Sequence, residues 1–293
     1  MTKQVNLDYH ENADEFRDAI NFTASETGFS AQLIEKDYYC SLILHDFEPL
    51  FQQGIIFKGG TCLSKIHADF YRLSEDLDFL FSIETNSLRS KRRETIQLVK
   101  KHEEELSKRI KHIRIEETLK VGGRNESRHY VGKYSYGSGV TGRHELIKVE
   151  ISLREQILEP VEKCHARTIL INPFRNEPAI EPVPVNALSI REAYGEKFRA
   201  ALTRREPEIR DFYDVDYAIR TGKLVTTDTK LLELVRNKLA VPGNDRIDTS
   251  DEKLTVLSSQ LKTRLKPVVR DEDYQKFDLD RAFGIVKKLR DSL

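Results

Sequence analysis

The sequence predicts an α+β fold: a mixed, largely antiparallel sheet with flanking helices, followed by a C-terminal helical bundle. Three observations point to it. Between residues 112 and 153, HIRIEETLKV, RHYVGKYSYG and HELIKVEISL alternate with a period of two and read as strands. From residue 190 onward the period is helical. Between residues 55 and 81, two short apolar runs bracket a glycine pair and a short helix-like segment.

At 293 residues, 39% hydrophobic and 33% charged, the chain can bury a sizeable core as one large domain or two modest ones. No apolar run approaches about 18 residues, so no membrane span is expected. The polar start MTKQVNLDYHENADEF is not a secretory signal. Cys40, Cys62 and Cys164 are far apart and form no C-x-x-C pair, the pattern of reduced thiols in a cytoplasmic protein. Lys plus Arg equals Asp plus Glu at 48 each, so a surface for nucleic acid has to be local. Nothing in the sequence speaks to oligomeric state.

Taken in order, Phe16, Ala19, Ile20 and Ala24 set a helix over 11–26. Ser30 is an N-cap for a second helix over 31–47, with Leu33, Ile34, Leu42 and Ile43 inward. The trio Glu35-Lys36-Asp37 reads as a solvated face, or as a brace for the glycine turn through Lys36 or Asp37. Residues 87–111 read as one charged helix with a narrow stripe of Leu88, Ile96, Val99, Leu106 and Ile110. Its basic start (Arg89, Lys91, Arg92, Arg93) reads as a solvated face or as a contact to an RNA backbone. A hairpin is expected near Gly122-Gly123-Arg124-Asn125. RTILIN, at 167–172, reads as a short strand. The proline-bearing stretch NPFRNEPAIEPVPVN after it marks a boundary between a core at 1–172 and a helical domain at 173–293. Helices follow at 190–205, 208–221, 229–239, 252–265 and 271–293, with Asp228 and Ser250 as N-caps and Gly222 as a stop.

The chemistry gathers in IIFKGGTCLSKIHADFYRLSEDLDFLF. In a strand, Asp76 and Asp78 share one face, while Leu77, Phe79 and Phe81 share the other. Two adjacent carboxylates repel, and Mg²⁺ resolves this, taking oxygens from one or two carboxylates plus substrate phosphates. Gly59 and Gly60 let backbone N–H groups approach an anion. Lys58, Gly59, Gly60, Thr61 and Lys65 are therefore the candidate nucleotide-binding residues, beside a metal site. In the third strand, Ile147, Val149, Ile151 and Leu153 alternate with Lys148, Glu150, Ser152 and Arg154. Glu150 is thus a candidate third metal carboxylate on the same open face. Downstream, Lys197 and Arg204 are seven residues apart and share a helix face. After Pro207, Asp211 and Asp214 share another at i,i+3. This reads as a capping acid with a salt bridge, or as Lys197 contacting a triphosphate while Asp211 orients it or the attacking hydroxyl.

GGTCLSK, then SEDLDF, then KVEIS, then K-x₆-R-x₅-RDFYD resembles the AbiEii/AbiGii toxin family. These are bacterial nucleotidyltransferase-type toxins that include the mycobacterial MenT group, within the polymerase-beta-like superfamily. The resemblance runs from about residue 35 to 217. It implies a nucleotidyltransferase sheet, a nucleotide grip at Gly60 and Thr61, metal carboxylates at Asp76 and Asp78, a motif lysine at Lys197 and a motif aspartate at Asp211. Here the second glycine stands where the wider superfamily has G-S, which hands the serine's work to Thr61. The resemblance also implies an antitoxin encoded nearby, one or two Mg²⁺, an NTP substrate and RNA as acceptor, with tRNA 3′ ends the target in the MenT group. Two rivals stay open on the residues alone: an NTP-dependent kinase or protein-nucleotidylating enzyme on the same scaffold, and a non-catalytic RNA- or partner-binding protein. A protein kinase of the usual kind is disfavoured, since H-R-D, D-F-G and a Walker motif are all missing. A basic rim for RNA is placed at Arg124, Arg128, Lys133 and Arg143.

Overall fold

The computed structural model describes residues 9–84, 87–122, 128–153 and 156–293. The chain divides into two compact units, Met1–Ile157 with Val161–Leu188, and Leu158–Pro160 with Ser189–Leu293.

The first unit opens with α1 (Ala13–Thr27) and α2 (Ala31–Asp46). Ser30 caps α2 as expected, its side chain accepting from the Leu33 N–H. After a short α3 (Glu48–Phe51) come β1 (Ile55–Lys58) and the short helix α4 (Gly59–Cys62), which runs on into a π-helical turn at Leu63–His67. Then follow β2 (Leu77–Phe81), α5 (Arg89–Glu103), α6 (Leu106–Arg109), β3 (Ile113–Val121), β4 (His129–Gly137) and β5 (His144–Ser152). β6 (Glu162–Ala166), a two-residue ribbon of β7 (Ile171–Asn172) and β8 (Glu177–Pro178), and β9 (Val183–Ala187) complete the unit. Seven strands form one mixed sheet in the order β3-β4-β5-β2-β1-β9-β6. The pairs β3/β4, β4/β5, β1/β2 and β6/β9 are antiparallel, and β2/β5 and β1/β9 are parallel.

Alternation sorts the sheet into two faces. Phe57, Leu77, Phe79, Tyr134, Val149 and Ile151 are buried on one face, and Phe79 packs on Phe47 at 5.3 Å and on Phe57 at 5.5 Å. Tyr39 of α2 stacks on Tyr136 of β4 at 4.0 Å, joining helix to sheet. The other face carries Lys58, Asp78, Glu150 and Lys148. Register places Lys58 opposite Asp78 and Asp78 opposite Glu150.

Three expectations are corrected here. The helix at 87–111 breaks at Glu104, and Glu103 turns inward to accept the Leu119 N–H through both oxygens, at 3.0 and 3.1 Å. Within the expected stripe, Ile96, Val99 and Leu106 are buried while Leu88 is exposed. RTILIN pairs over only two residues, and the longer strands are β6 and β9. The units divide at Leu188/Ser189, beyond 172/173, because Val183 and Val185 of the proline-bearing stretch, and Ala187 just after it, face inward in β9, an inner strand beside β1. The expected hairpin at 122–125 lies largely outside the described residues, as does Arg154.

The second unit is helical: α7 (Ile190–Thr203), α8 (Ile209–Arg220), α9 (Thr229–Leu239), α10 (Asp251–Gln260), α11 (Asp271–Lys276) and α12 (Leu279–Asp291). Ser189, Asp228, Ser250 and Asp278 cap their helices through side-chain oxygens. The helix expected over 271–293 is thus two, divided before Asp278. Glu208 gives α8 no side-chain cap, and the Gln260 side chain accepts the Ile209 N–H at 2.9 Å instead. Phe212 and Phe283 stack at 5.7 Å. Lys238 of α9 reaches Glu192 and Glu196 of α7 at 2.6 and 2.8 Å. Arg281 of α12 forks onto Asp216 of α8 at 2.7 and 2.9 Å. Among the described residues no helix is long and apolar enough to cross a membrane.

Candidate active site

The polar sheet face of the first unit brings the glycine turn and the acidic strand together. Gly59 follows β1 with φ +80°, a left-handed conformation that glycine adopts without strain. A Cβ on Gly59 would lie 2.1 Å from Asp78 Oδ2, so the carboxylate occupies the space that a side chain would need. A Cβ on Gly60 would meet Arg72 Nη2 at 2.6 Å and Ser74 Oγ at 2.9 Å. The glycine pair is therefore dictated by close approach on both sides. Gly59→Ala is expected to keep the fold and to push Asp78 aside, lowering turnover about 10²-fold, the loss that roughly 1 Å of misplacement brings. A steady-state rate near that of the parent would refute this coupling.

Thr61 is buried, and its hydroxyl donates to the Asp76 carbonyl. The hydroxyl proton expected for a phosphate thus clips the turn to the acidic strand. Lys65, expected to bind nucleotide, is corrected: its side chain is 0% exposed. Its ammonium pairs with Asp37 Oδ1 at 2.6 Å and donates to Ser41 Oγ at 2.7 Å and to the Arg167 carbonyl at 3.2 Å. Every proton of that ammonium has a partner inside the unit, so Lys65 anchors the helix after the turn.

The trio on α2 is likewise a set of braces, with Glu35 and Asp37 buried. Glu35 accepts from the Ser138 hydroxyl and, at 2.7 Å, from the Gly139 N–H in the β4–β5 turn. Burial still pushes its carboxyl above the usual range. Lys36 holds Glu75, the neighbour of Asp76, at 3.0 Å. Asp37 accepts from the Ile169 N–H at 3.0 Å in addition to its bond with Lys65.

Glu150 lies directly opposite Asp78, as the alternation implies, but both its oxygens are engaged. Lys148 stands 2.6 Å from Oε1 and His129 2.9 Å from Oε2. Lys148 also stands 3.5 Å from Asp76 Oδ2. Among the described residues no group of three or more His, Cys, Asp or Glu side chains is arranged to hold a metal ion. Glu150, the expected third metal carboxylate, thus faces two bases, Lys148 and His129. Asp76 and Asp78 remain a hard-oxygen pair on one face. That donor set fits Mg²⁺, which completes its shell with water and substrate phosphates.

Burial pushes the Glu150 carboxyl up, but hydrogen bonds and charge from His129 and Lys148 outweigh this and hold it at about 2. Burial lowers Lys148, and Glu150, Asp76 and Asp78 outweigh that and raise it. A carboxyl depressed in the folded state stabilises fully above its unfolded value of 4.5, and the contribution is lost as pH falls toward 2. The acid limb of a pH–stability curve should thus lose about 3 kcal/mol in that window, and Glu150→Gln should flatten it. Parallel acid limbs in urea melts of the two proteins would contradict the assignment.

In the second unit, Lys197 lies 3.0 Å from Asp211 Oδ1 and 2.9 Å from Asp214 Oδ2, and Arg204 lies 3.0 Å from Asp211 Oδ2. Burial raises the Asp211 carboxyl, yet the charges of Lys197 and Arg204 hold it below the usual range. The seven-residue spacing therefore does put Lys197 and Arg204 on one carboxylate. The expected basic rim does not gather. Arg128 and Arg143 lie beyond opposite ends of the nine-residue β4, about 30 Å long. Lys133 is committed to Glu117 at 2.6 Å, and Arg124 lies outside the described residues.

The family model described as nucleotidyl transferase AbiEii toxin, type IV toxin–antitoxin system, matches residues 42–284, most of the chain. The chain belongs to the AbiEii family. Its match takes in the glycine turn, the acidic strand, Glu150, and the Lys197–Asp211 cluster. AbiEii membership makes the chain a nucleotidyltransferase-type toxin and implies an antitoxin partner. Two solved Helicobacter pylori structures have a similar fold. JHP933 is 14% identical, with a TM-score of 0.52, over 89% of this chain and 91% of its own. A protein described as a candidate nucleotidyltransferase is 15% identical, with a TM-score of 0.51, over 89% and 94%. At such identities the likeness is one of fold. A comparison with curated proteins found no match. The mixed sheet, flanking helices and helical C-terminal unit of this AbiEii chain agree with the fold class predicted from its sequence.

Sequence reasoning missed His129 as the orienting partner of Glu150. The residue is silent in the chain because only the β4–β5 register brings the two together. Lys148 was visible as part of the polar alternation, without its partners.

Proposed function

We propose that this AbiEii chain transfers an NMP group from an NTP to RNA, with a tRNA 3′ end as acceptor. One observation carries the reading: Asp78 sits against Gly59 so closely that no side chain fits between them, making phosphate-binding backbone and acidic pair a single piece. The backbone N–H groups at Gly59 and Gly60 would hold the β- and γ-phosphates, and Lys58, opposite Asp78, would add positive charge. Asp76 and Asp78 would hold one or two Mg²⁺, which would neutralise the polyphosphate and raise the electrophilicity of the α-phosphorus. The acceptor hydroxyl attacks that phosphorus and releases its proton to solvent. The bond to the bridging oxygen breaks, and pyrophosphate leaves. Lys197 and Asp211 keep the catalytic roles that the family resemblance implies, and the buried Asp211 carboxyl, 3.0 Å from Lys197 Nζ and held below the usual range by Lys197 and Arg204, supports this.

The test is incubation with bulk tRNA, Mg²⁺ and each α-³²P NTP in turn, with Asp78→Asn in parallel. Label in tRNA from one NTP, lost in the variant, is expected. Label in a protein band would favour protein nucleotidylation. Label arriving only from γ-³²P NTP would favour a kinase.

A further inference from the structure

Lys148 occupies an unusual position on the open sheet face. The pairing of Leu77 with Val149 sets Lys148 beside Asp76, as the pairing of Asp78 with Glu150 sets those two side by side. Its ammonium stands 2.6 Å from Glu150 and 3.5 Å from Asp76, where the two carboxylates converge. Across the next pairing, Lys133 lies directly opposite Lys148, and like charges in that relation repel. Lys133 turns to Glu117 at 2.6 Å, leaving Lys148 to the acidic group. His129 fixes the far oxygen of Glu150 at 2.9 Å, so the carboxylate cannot turn away. At 41% exposed, the Lys148 side chain has room to leave.

We propose that Lys148 is the internal counter-ion of the acidic site, holding the place beside Asp76 that a divalent cation on Asp76 and Asp78 would take, so that the cation must displace it. Glu150 is then the latch that retains Lys148 and not a metal ligand. A bare cation gains little, because it exchanges one charge pairing for another. A cation arriving with a nucleotide gains more, because the freed ammonium meets the polyphosphate. The inference rests on the metal-dependent reading above and concerns Lys148 alone.

The experiment is Mn²⁺ titration without nucleotide, followed by electron paramagnetic resonance, on the full chain and on Lys148→Met and Lys133→Met. Lys148→Met is expected to bind Mn²⁺ about ten-fold more tightly, and Lys133→Met within about two-fold of the parent, as Coulomb attraction falls with distance. Unchanged or weaker binding in Lys148→Met, or equal tightening in Lys133→Met, overturns the proposal. Absence of Mn²⁺ binding in the parent and both variants would instead overturn the metal reading itself. A second measurement uses the parent protein: reductive methylation with mass spectrometry should find Lys148 more reactive when Mg²⁺ is added, with Lys133 unchanged. Lys148 reactivity indifferent to Mg²⁺ overturns the proposal as well.

Discussion

Asp78→Asn is expected to lower nucleotide transfer by roughly 10²–10³-fold or more, the scale on which a single electrostatic group in a transition state is felt. The fold should survive. Asp78 is half-buried on the polar face, and the packing of β2 rests on Leu77, Phe79 and Phe81 on the other side. Asparagine keeps the shape that faces Gly59 and removes one negative charge, so the change isolates charge from packing. Unaltered melting with lost transfer is the expected pair of results. Transfer at the parent rate would remove Asp78 from the site. A fall in both stability and activity would assign it to the framework.

Lys65→Met should destabilise the protein by about 3–5 kcal/mol, the penalty for leaving one half of a buried ion pair uncompensated. The carboxylate of Asp37 would lose its bond at 2.6 Å within a fully buried setting, keeping the Ile169 N–H as donor. The double variant with Asp37→Leu should recover part of the loss, since burying neither charge costs less than burying one. Full recovery is not expected, because the Ile169 N–H loses its acceptor. Urea denaturation of the parent, the two single variants and the double variant measures the coupling. A Lys65→Met protein within about 1 kcal/mol of the parent would show that the pair contributes little, as surface pairs do.

These results concern residues that the chain reveals unequally. Asp76 and Asp78 were legible because strand alternation is local: a period of two puts them on one face whatever the sheet around them. The caps Ser30, Asp228 and Ser250 were legible for the same reason, each acting on an N–H two or three residues away. Lys65 was misread because its spacing from the glycines says nothing of what lies over it. Burial came from α2 and from the segment around Arg167, which are remote in the chain.

By itself the sequence determined most of the helices and the three long strands, the acidic pair, the glycine turn and, through four motifs in order, the family. Only the tertiary structure decided that Glu150 is held by His129 and Lys148, that Thr61 clips the acidic strand, and that the proline-bearing stretch supplies an inner strand. The physical reason is the same in each case. Periodicity and capping are set by neighbours a few residues apart. Which carboxylate meets which base is set by strand order and register, and β5, β2, β1 and β9 are brought together across much of the chain.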